Sequence, residues 1–201
     1  MFDVNELRAH YRRFDDDRIK RIAEYESKGL REEVVPILIE EIKKRELGKQ
    51  LITWIKAERR QLSSQELKAL KAKVKECICE LCQQNRQLKG YRFRTLVGMI
   101  VGEVDYERIL VVCEKCGKAN RRNSAIRTSL FGWWSVRGLL TTPFILIDKL
   151  KAQIREEHQS DEIITTFIQE NIGLITIGYD DKRVIQKLLK TFNEDEKVSN
   201  I

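Results

Sequence analysis

Cys79-Glu80-Leu81-Cys82 and Cys113-Glu114-Lys115-Cys116 are the two stretches on which the reading of this 201-residue chain turns. Each is a C-x-x-C pair, a tight turn that offers two sulfurs to one point while its backbone N–H groups face the thiolates. Two such turns supply the four soft ligands of a tetrahedral zinc site. Between them lie Tyr91 to Val101 and Tyr106 to Val112, rich in β-branched and aromatic residues and separated by Gly102-Glu103-Val104-Asp105. A β-hairpin with a cysteine pair at each end is the pattern of a zinc ribbon, with Cys79, Cys82, Cys113 and Cys116 as ligands of one structural Zn2+. Gly117 follows the second pair, where a knuckle turns. Cys77, the remaining cysteine, extends the first pair to C-x-C-x-x-C and reads as a bystander thiol.

The rest of the chain reads as helices on either side of that ribbon, an α+β fold. Phe14-Asp15-Asp16-Asp17 opens the first clear helix, with Asp15 as N-cap, Phe14 stapled against Ile19, and Gly29 as the stop. A second helix carries Val35, Leu38, Ile39, Ile42 and Leu47, with Pro36 in its first turn and Gly48 at its end. Leu51, Ile52, Trp54 and Ile55 mark a third, and Ser63-Ser64-Gln65-Glu66 forms a capping box before a fourth that runs into the first cysteines. Downstream, 148–157 reads as helical, Ser160 or Asp161 caps a helix through Ile168, and Asp180 or Asp181 caps a last one before a tail that frays from Asn193. The organisation is therefore a helical region at 1–76, the zinc ribbon at 77–127, an apolar Trp-containing segment at 128–150, and a C-terminal helical region at 151–201.

Charge and composition limit the class. Lys and Arg outnumber Asp and Glu by 38 to 31, so the surface attracts polyanions such as nucleic acid or anionic lipid. Acids interspersed among the bases make most of that charge a solvated helical face. Hydrophobic residues make up 42% of the chain, enough for a globular core. The opening Met1 to Asp17 has no apolar run of the kind a signal peptide needs, which implies a cytoplasmic protein whose thiols stay reduced and bind metal rather than each other. His10 and His158 lie far apart, no Gly-rich phosphate loop is present, and neither G-x-S-x-G nor H-E-x-x-H occurs. No catalytic residue and no small-molecule substrate can be named from these motifs, so the chain reads as a non-enzyme.

After the ribbon comes a basic stretch, Lys118, Arg121, Arg122 and Arg127, and then the apolar run from Ser129 to Ile147 that contains Phe131-Gly132-Trp133-Trp134. Its length approaches the roughly 20 residues of a membrane span. Arg137 near its middle costs about 3 kcal/mol to insert, and Gly138 and Pro143 break a helix, which argues against a spanning segment. Three readings stay open: a buried bent segment, an interfacial segment among lipid headgroups, or a docking surface for a protein partner.

Several stretches together resemble a group of uncharacterised bacterial zinc-ribbon proteins: Tyr11-Arg12-Arg13-Phe14-Asp15-Asp16-Asp17, Glu40 to Leu47, the cysteine pairs, and above all Phe131-Gly132-Trp133-Trp134 with Arg137-Gly138-Leu139 and Thr142-Pro143. The resemblance spans most of the chain and implies a fold rather than an activity. Relatives often carry Gly and Pro where this chain has Ser135, Val136 and Arg137, so this chain holds an extra charge in that segment.

Two functions follow as expectations. One is a non-enzymatic interaction protein that presents Phe131, Trp133, Trp134 and Arg137 to a protein partner or to a membrane surface, cytoplasmic or peripheral at the inner face of the membrane. The alternative is a nucleic-acid-binding ribbon, in which Lys118, Arg121, Arg122 and Arg127 meet phosphates while Tyr91 and Phe93, alternating with Arg92 and Arg94, offer stacking.

Overall fold

The computed structural model describes residues 4–99, 102–131, 147 and 156–195. In chain order these form α1 (Val4–Arg13), α2 (Asp16–Arg21), a π turn (Ile22–Glu26) and a 3-10 turn (Ser27–Gly29), then α3 (Val34–Lys44), α4 (Lys49–Glu58) and α5 (Ser64–Lys75). The hairpin β1 (Leu88–Met99) and β2 (Gly102–Cys113) follows, and then α6 (Glu114–Phe131), α7 (Glu156–Glu170), α8 (Ile172–Ile177) and α9 (Lys182–Asp195). Helices before and after a two-stranded antiparallel hairpin in chain order give the α+β architecture expected from the sequence. The chain gathers into two compact units, Met1–Ser63 with Asn171–Asp181, and Ser64–Glu170 with Lys182–Ile201. Each draws on more than one of the four successive segments read above.

The first unit is helical around Ile19, Ile22, Ala23, Ile37, Leu38, Ile42 and Ile55. Asp15 caps α2 as expected, its carboxylate accepting the Arg18 N–H at 2.7 Å. Pro36 is the third residue of α3, inside the first turn where no intrahelical donor is lost. Gly29 is not a left-handed cap; it closes the 3-10 turn that continues α2. α3 also stops before Gly48. It ends in a Schellman arrangement, with Glu46 N–H donating to the Lys43 carbonyl at 3.2 Å and Leu47 N–H to the Ile42 carbonyl at 3.1 Å. The left-handed position of that motif is held by Glu46 itself, at φ 54°. α8 ends the same way with Tyr179 at φ 53°.

In the second unit the hairpin runs in register from Leu88 opposite Cys113 to Met99 opposite Gly102. Residues Gly102 to Asp105, expected as the connection, therefore lie within β2. Tyr91, Phe93 and Thr95 alternate onto the face covered by α6, where the two rings stack at 5.9 Å and Thr95 meets the Ser124 hydroxyl at 2.8 Å. Gly90 faces α7, and a Cβ there would lie 2.6 Å from that of Ile163.

Two buried polar residues complete the sheet edges. Ser160 Oγ accepts the Gly90 N–H at 2.9 Å from inside α7, so Ser160 is a partner of β1 and not the helix cap expected from the sequence. On the other edge, Asn193 Oδ1 accepts the Val111 N–H at 2.9 Å and Nδ2 donates to the Val111 carbonyl at 3.2 Å. Asn193 is 2% exposed and helical; the expected fraying from this residue is overturned because its amide replaces a missing third strand.

Replacing Asn193 by Ala strands two buried backbone groups and should cost about 1–3 kcal/mol in urea unfolding. Glu46→Gly should act oppositely, raising stability by roughly 0.5–1 kcal/mol, because an exposed non-glycine residue is relieved of a left-handed backbone.

Candidate metal centre

The four paired cysteines meet where the hairpin opens. Cys79 and Cys82 lie in the loop between α5 and β1, Cys113 ends β2, and Cys116 falls in the first turn of α6. Their sulfurs all lie within 4.8 Å of one another, and Cys82 Sγ is 3.6 Å from Cys113 Sγ. A disulfide needs about 2.05 Å. Four metal–sulfur bonds of about 2.3 Å in a tetrahedron set their sulfurs about 3.8 Å apart. The spacing and the soft donor set thus fit a single metal ion, held by Cys79, Cys82, Cys113 and Cys116.

Local backbone geometry shapes each half. In the first, Gln83 adopts a left-handed φ of 54° and donates its N–H to the Cys79 carbonyl at 2.7 Å, while Cys79 N–H donates to the Gln84 carbonyl at 3.2 Å. These two bonds close the loop around the pair. The halves also touch through Cys113 N–H, which donates to Cys79 Sγ at 3.4 Å. Cys116 stands at the positive end of the α6 dipole, which favours a thiolate or an anionic metal–sulfur cluster. Its carbonyl accepts from Asn120 Nδ2 at 2.9 Å. From outside, Gln186 of α9 bonds both main-chain groups of Ile78, the residue just before Cys79. No periodicity marks Gln186 in the sequence.

The thiols differ in acidity. A hydrogen bond from the Gln84 backbone draws Cys82 down to about 7, and the neighbouring cysteines act in the same direction. Burial pushes Cys79 up, with backbone N–H bonds opposing it. Burial also raises Cys116, reinforced by Cys113 and Cys82. Cys77 stands apart: it is buried, its thiol donates to the Lys73 carbonyl at 3.3 Å, and desolvation pushes it up to about 11.

Gly117 serves a purpose other than a knuckle turn. It lies inside α6, and a Cβ there would run into the Tyr91 ring. Its lack of a side chain lets the helix sit closely on β1. The basic stretch lies on that same helix. Lys118 pairs with Glu114, and Arg121 lies 5.7 Å over the Tyr91 ring. Arg122 and Arg127 are exposed, and Arg127 lies about 180° around the helix from Lys118, so the four cations do not form one patch. Tyr91 and Phe93 are 1% and 6% exposed; the expectation that they stack on bases fails because α6 covers them. Arg92 instead pairs with Glu107 at 2.9 Å.

The proposed interaction residues Trp133, Trp134 and Arg137 lie outside the described residues, as does 148–155. Phe131 is the last residue of α6. Among the described residues no helix is long and apolar enough to cross a membrane. Comparison with known proteins gives no counterpart: no family model matches the chain, and neither does any curated protein or solved structure.

The thiol acidities make a pH prediction for metal-free protein. Cys82 sits below the ordinary thiol value of 9.0 and Cys77 above it. Alkylation should therefore reach Cys82 first, rising through about pH 7, while Cys77 resists until the fold opens or the pH nears 11. Peptide mass mapping after brief iodoacetamide treatment at pH 7.5 checks the order. By linkage, Cys82 adds stability as pH rises from about 7 to 9, and Cys77 removes it from about 9 to 11.

Proposed function

We propose that this protein is a non-enzymatic zinc-ribbon interaction protein, in which a structural Zn2+ fixes the hairpin and α6 carries an apolar Trp-containing segment toward a partner. The observation that carries this reading is the four-sulfur cluster. Four thiolates select zinc over hard cations such as magnesium or calcium. They also fill a tetrahedron, leaving no open position at which water or a substrate carbonyl would bind, so the ion's contribution is structural.

α6 supports the second half of the proposal. It starts one residue after Cys113, includes Cys116, and continues without interruption to Phe131, two residues into the apolar run that begins at Ser129. A helix of 18 residues spans about 27 Å. A helix anchored in the metal cluster at one end gives the segment that follows a fixed point of departure. Phe131, Trp133, Trp134 and Arg137 are then the contact residues, directed to a protein partner or to an anionic membrane surface at the inner face of the membrane. The nucleic-acid reading loses support, since its aromatic half is buried under α6 and Arg127 lies on the other side of the helix from Lys118.

Elemental analysis of untagged protein should give one zinc per chain, and Cys79→Ser or Cys113→Ser should lose the metal and unfold at a lower urea concentration than the parent. A zinc content well below one, with both variants folding as well as the parent, overturns the proposal. For the interaction, the full chain should co-sediment with phosphatidylserine-containing vesicles and lose this in the double variant Trp133→Ala, Trp134→Ala. Absence of vesicle binding in the parent assigns the segment to a protein partner instead.

A further inference from the structure

The geometry points to Gln186 as the residue that positions the first cysteine pair for its metal, an inference that rests on the metal reading above. α9 packs on α5 and β2, and Gln186 stands one turn after Lys182 within it. Its carboxamide meets one residue from both sides: Oε1 accepts the Ile78 N–H at 2.7 Å, and Nε2 donates to the Ile78 carbonyl at 3.0 Å. Nε2 also donates to the carboxylate of Glu80. The same side chain therefore grips the residue before Cys79 and the residue after it.

A primary amide is suited to this because it offers an acceptor and two donors in one plane, as a neighbouring strand would. The Ile78 side chain is 44% exposed, whereas Cys77 and Cys79 on either side of it are buried, so packing fixes the neighbours more than Ile78 itself. Cys79, held between these two contacts, is the sulfur that also accepts the Cys113 N–H, and so one of the points at which the two cysteine pairs meet. One turn earlier, Lys182 pairs with Glu76 at 3.8 Å, a longer and solvent-exposed contact that adds little. Gln186 thus acts on the metal through Cys79, as outer partners of metal ligands do: they fix ligand orientation, and their loss lowers affinity about 10- to 100-fold.

The test uses the full chain. Zinc affinity, read by competition with a chromophoric chelator, should fall about 10-fold or more in Gln186→Ala. Gln186→Met, which keeps length and helix propensity but loses both Ile78 bonds, should show the same loss. The cobalt(II) charge-transfer absorption should still report four thiolates in both variants, because the ligands themselves are untouched. Asn193→Ala loosens the other end of α9 and serves as the control; it should lower stability while changing zinc affinity less than either Gln186 variant. A parent chain that binds no zinc overturns the metal reading itself. A parent that binds zinc, with equal affinity in the Gln186 variants, or with equal losses in those variants and in Asn193→Ala, overturns the role of Gln186 alone.

Discussion

Leu88 opposite Cys113 is the pairing on which the second unit depends. Because β2 returns antiparallel to β1, the end of one strand lies beside the start of the other, and cysteines 31 positions apart reach within 3.6 Å. A slip by one residue would turn Tyr91 toward Ile163 and Gly90 toward α6, reversing both faces at once. Such a slip would also move Cys113 along the strand and dissolve the sulfur cluster. The tight approach of α6 at Gly117 and of α7 at Gly90 therefore protects the register, and the register in turn assembles the ligands. An isolated two-stranded hairpin is marginal in water. Here it is covered on both faces by helices, and Ser160 and Asn193 take the outward backbone groups of Gly90 and Val111.

The first unit uses a different device, the arginine fork. Arg45 donates to the carbonyls of Tyr11, Arg12 and Phe14 where α1 ends, the first of which also accepts the Phe14 N–H at 3.3 Å, and it pairs with Asp16 and the buried Glu41. Arg59 does the same for the carbonyls of Ser27, Lys28 and Leu30 and pairs with Glu32. Each guanidinium satisfies several carbonyls at a turn where the chain changes direction. Arg45 also joins Tyr11 to Asp17 with Glu40 to Leu47, since Glu41 and Arg45 on α3 hold the junction of α1 and α2.

What could be read in the sequence was what depends on local chemistry or on spacing. The cysteine pairs announced their convergence, the β-branched and aromatic runs announced the hairpin, and Asp15 and Pro36 announced a cap and a first turn. α1 was missed because few of its positions, Tyr11 and partly Leu7, face inward, too few for an apolar stripe to stand out. Asn193, Ser160 and Gln186 were missed for another reason. Each is a polar residue in a helix whose partner lies at least 70 positions away, and polar residues on helices usually face water. Tyr91-Arg92-Phe93-Arg94 shows the converse: its β-branched and aromatic surroundings correctly signalled a strand, but could not say that its aromatic face would be covered by the helix bearing the basic stretch.

One measurement bears most directly on the sulfur cluster as the organising centre: X-ray absorption fine structure at the zinc edge of the purified full chain. The account predicts a single shell of four sulfur neighbours at about 2.3 Å with no oxygen or nitrogen ligand. A shell containing fewer than four sulfurs, or a nitrogen or oxygen scatterer at about 2.0–2.1 Å, would contradict a closed site built from Cys79, Cys82, Cys113 and Cys116.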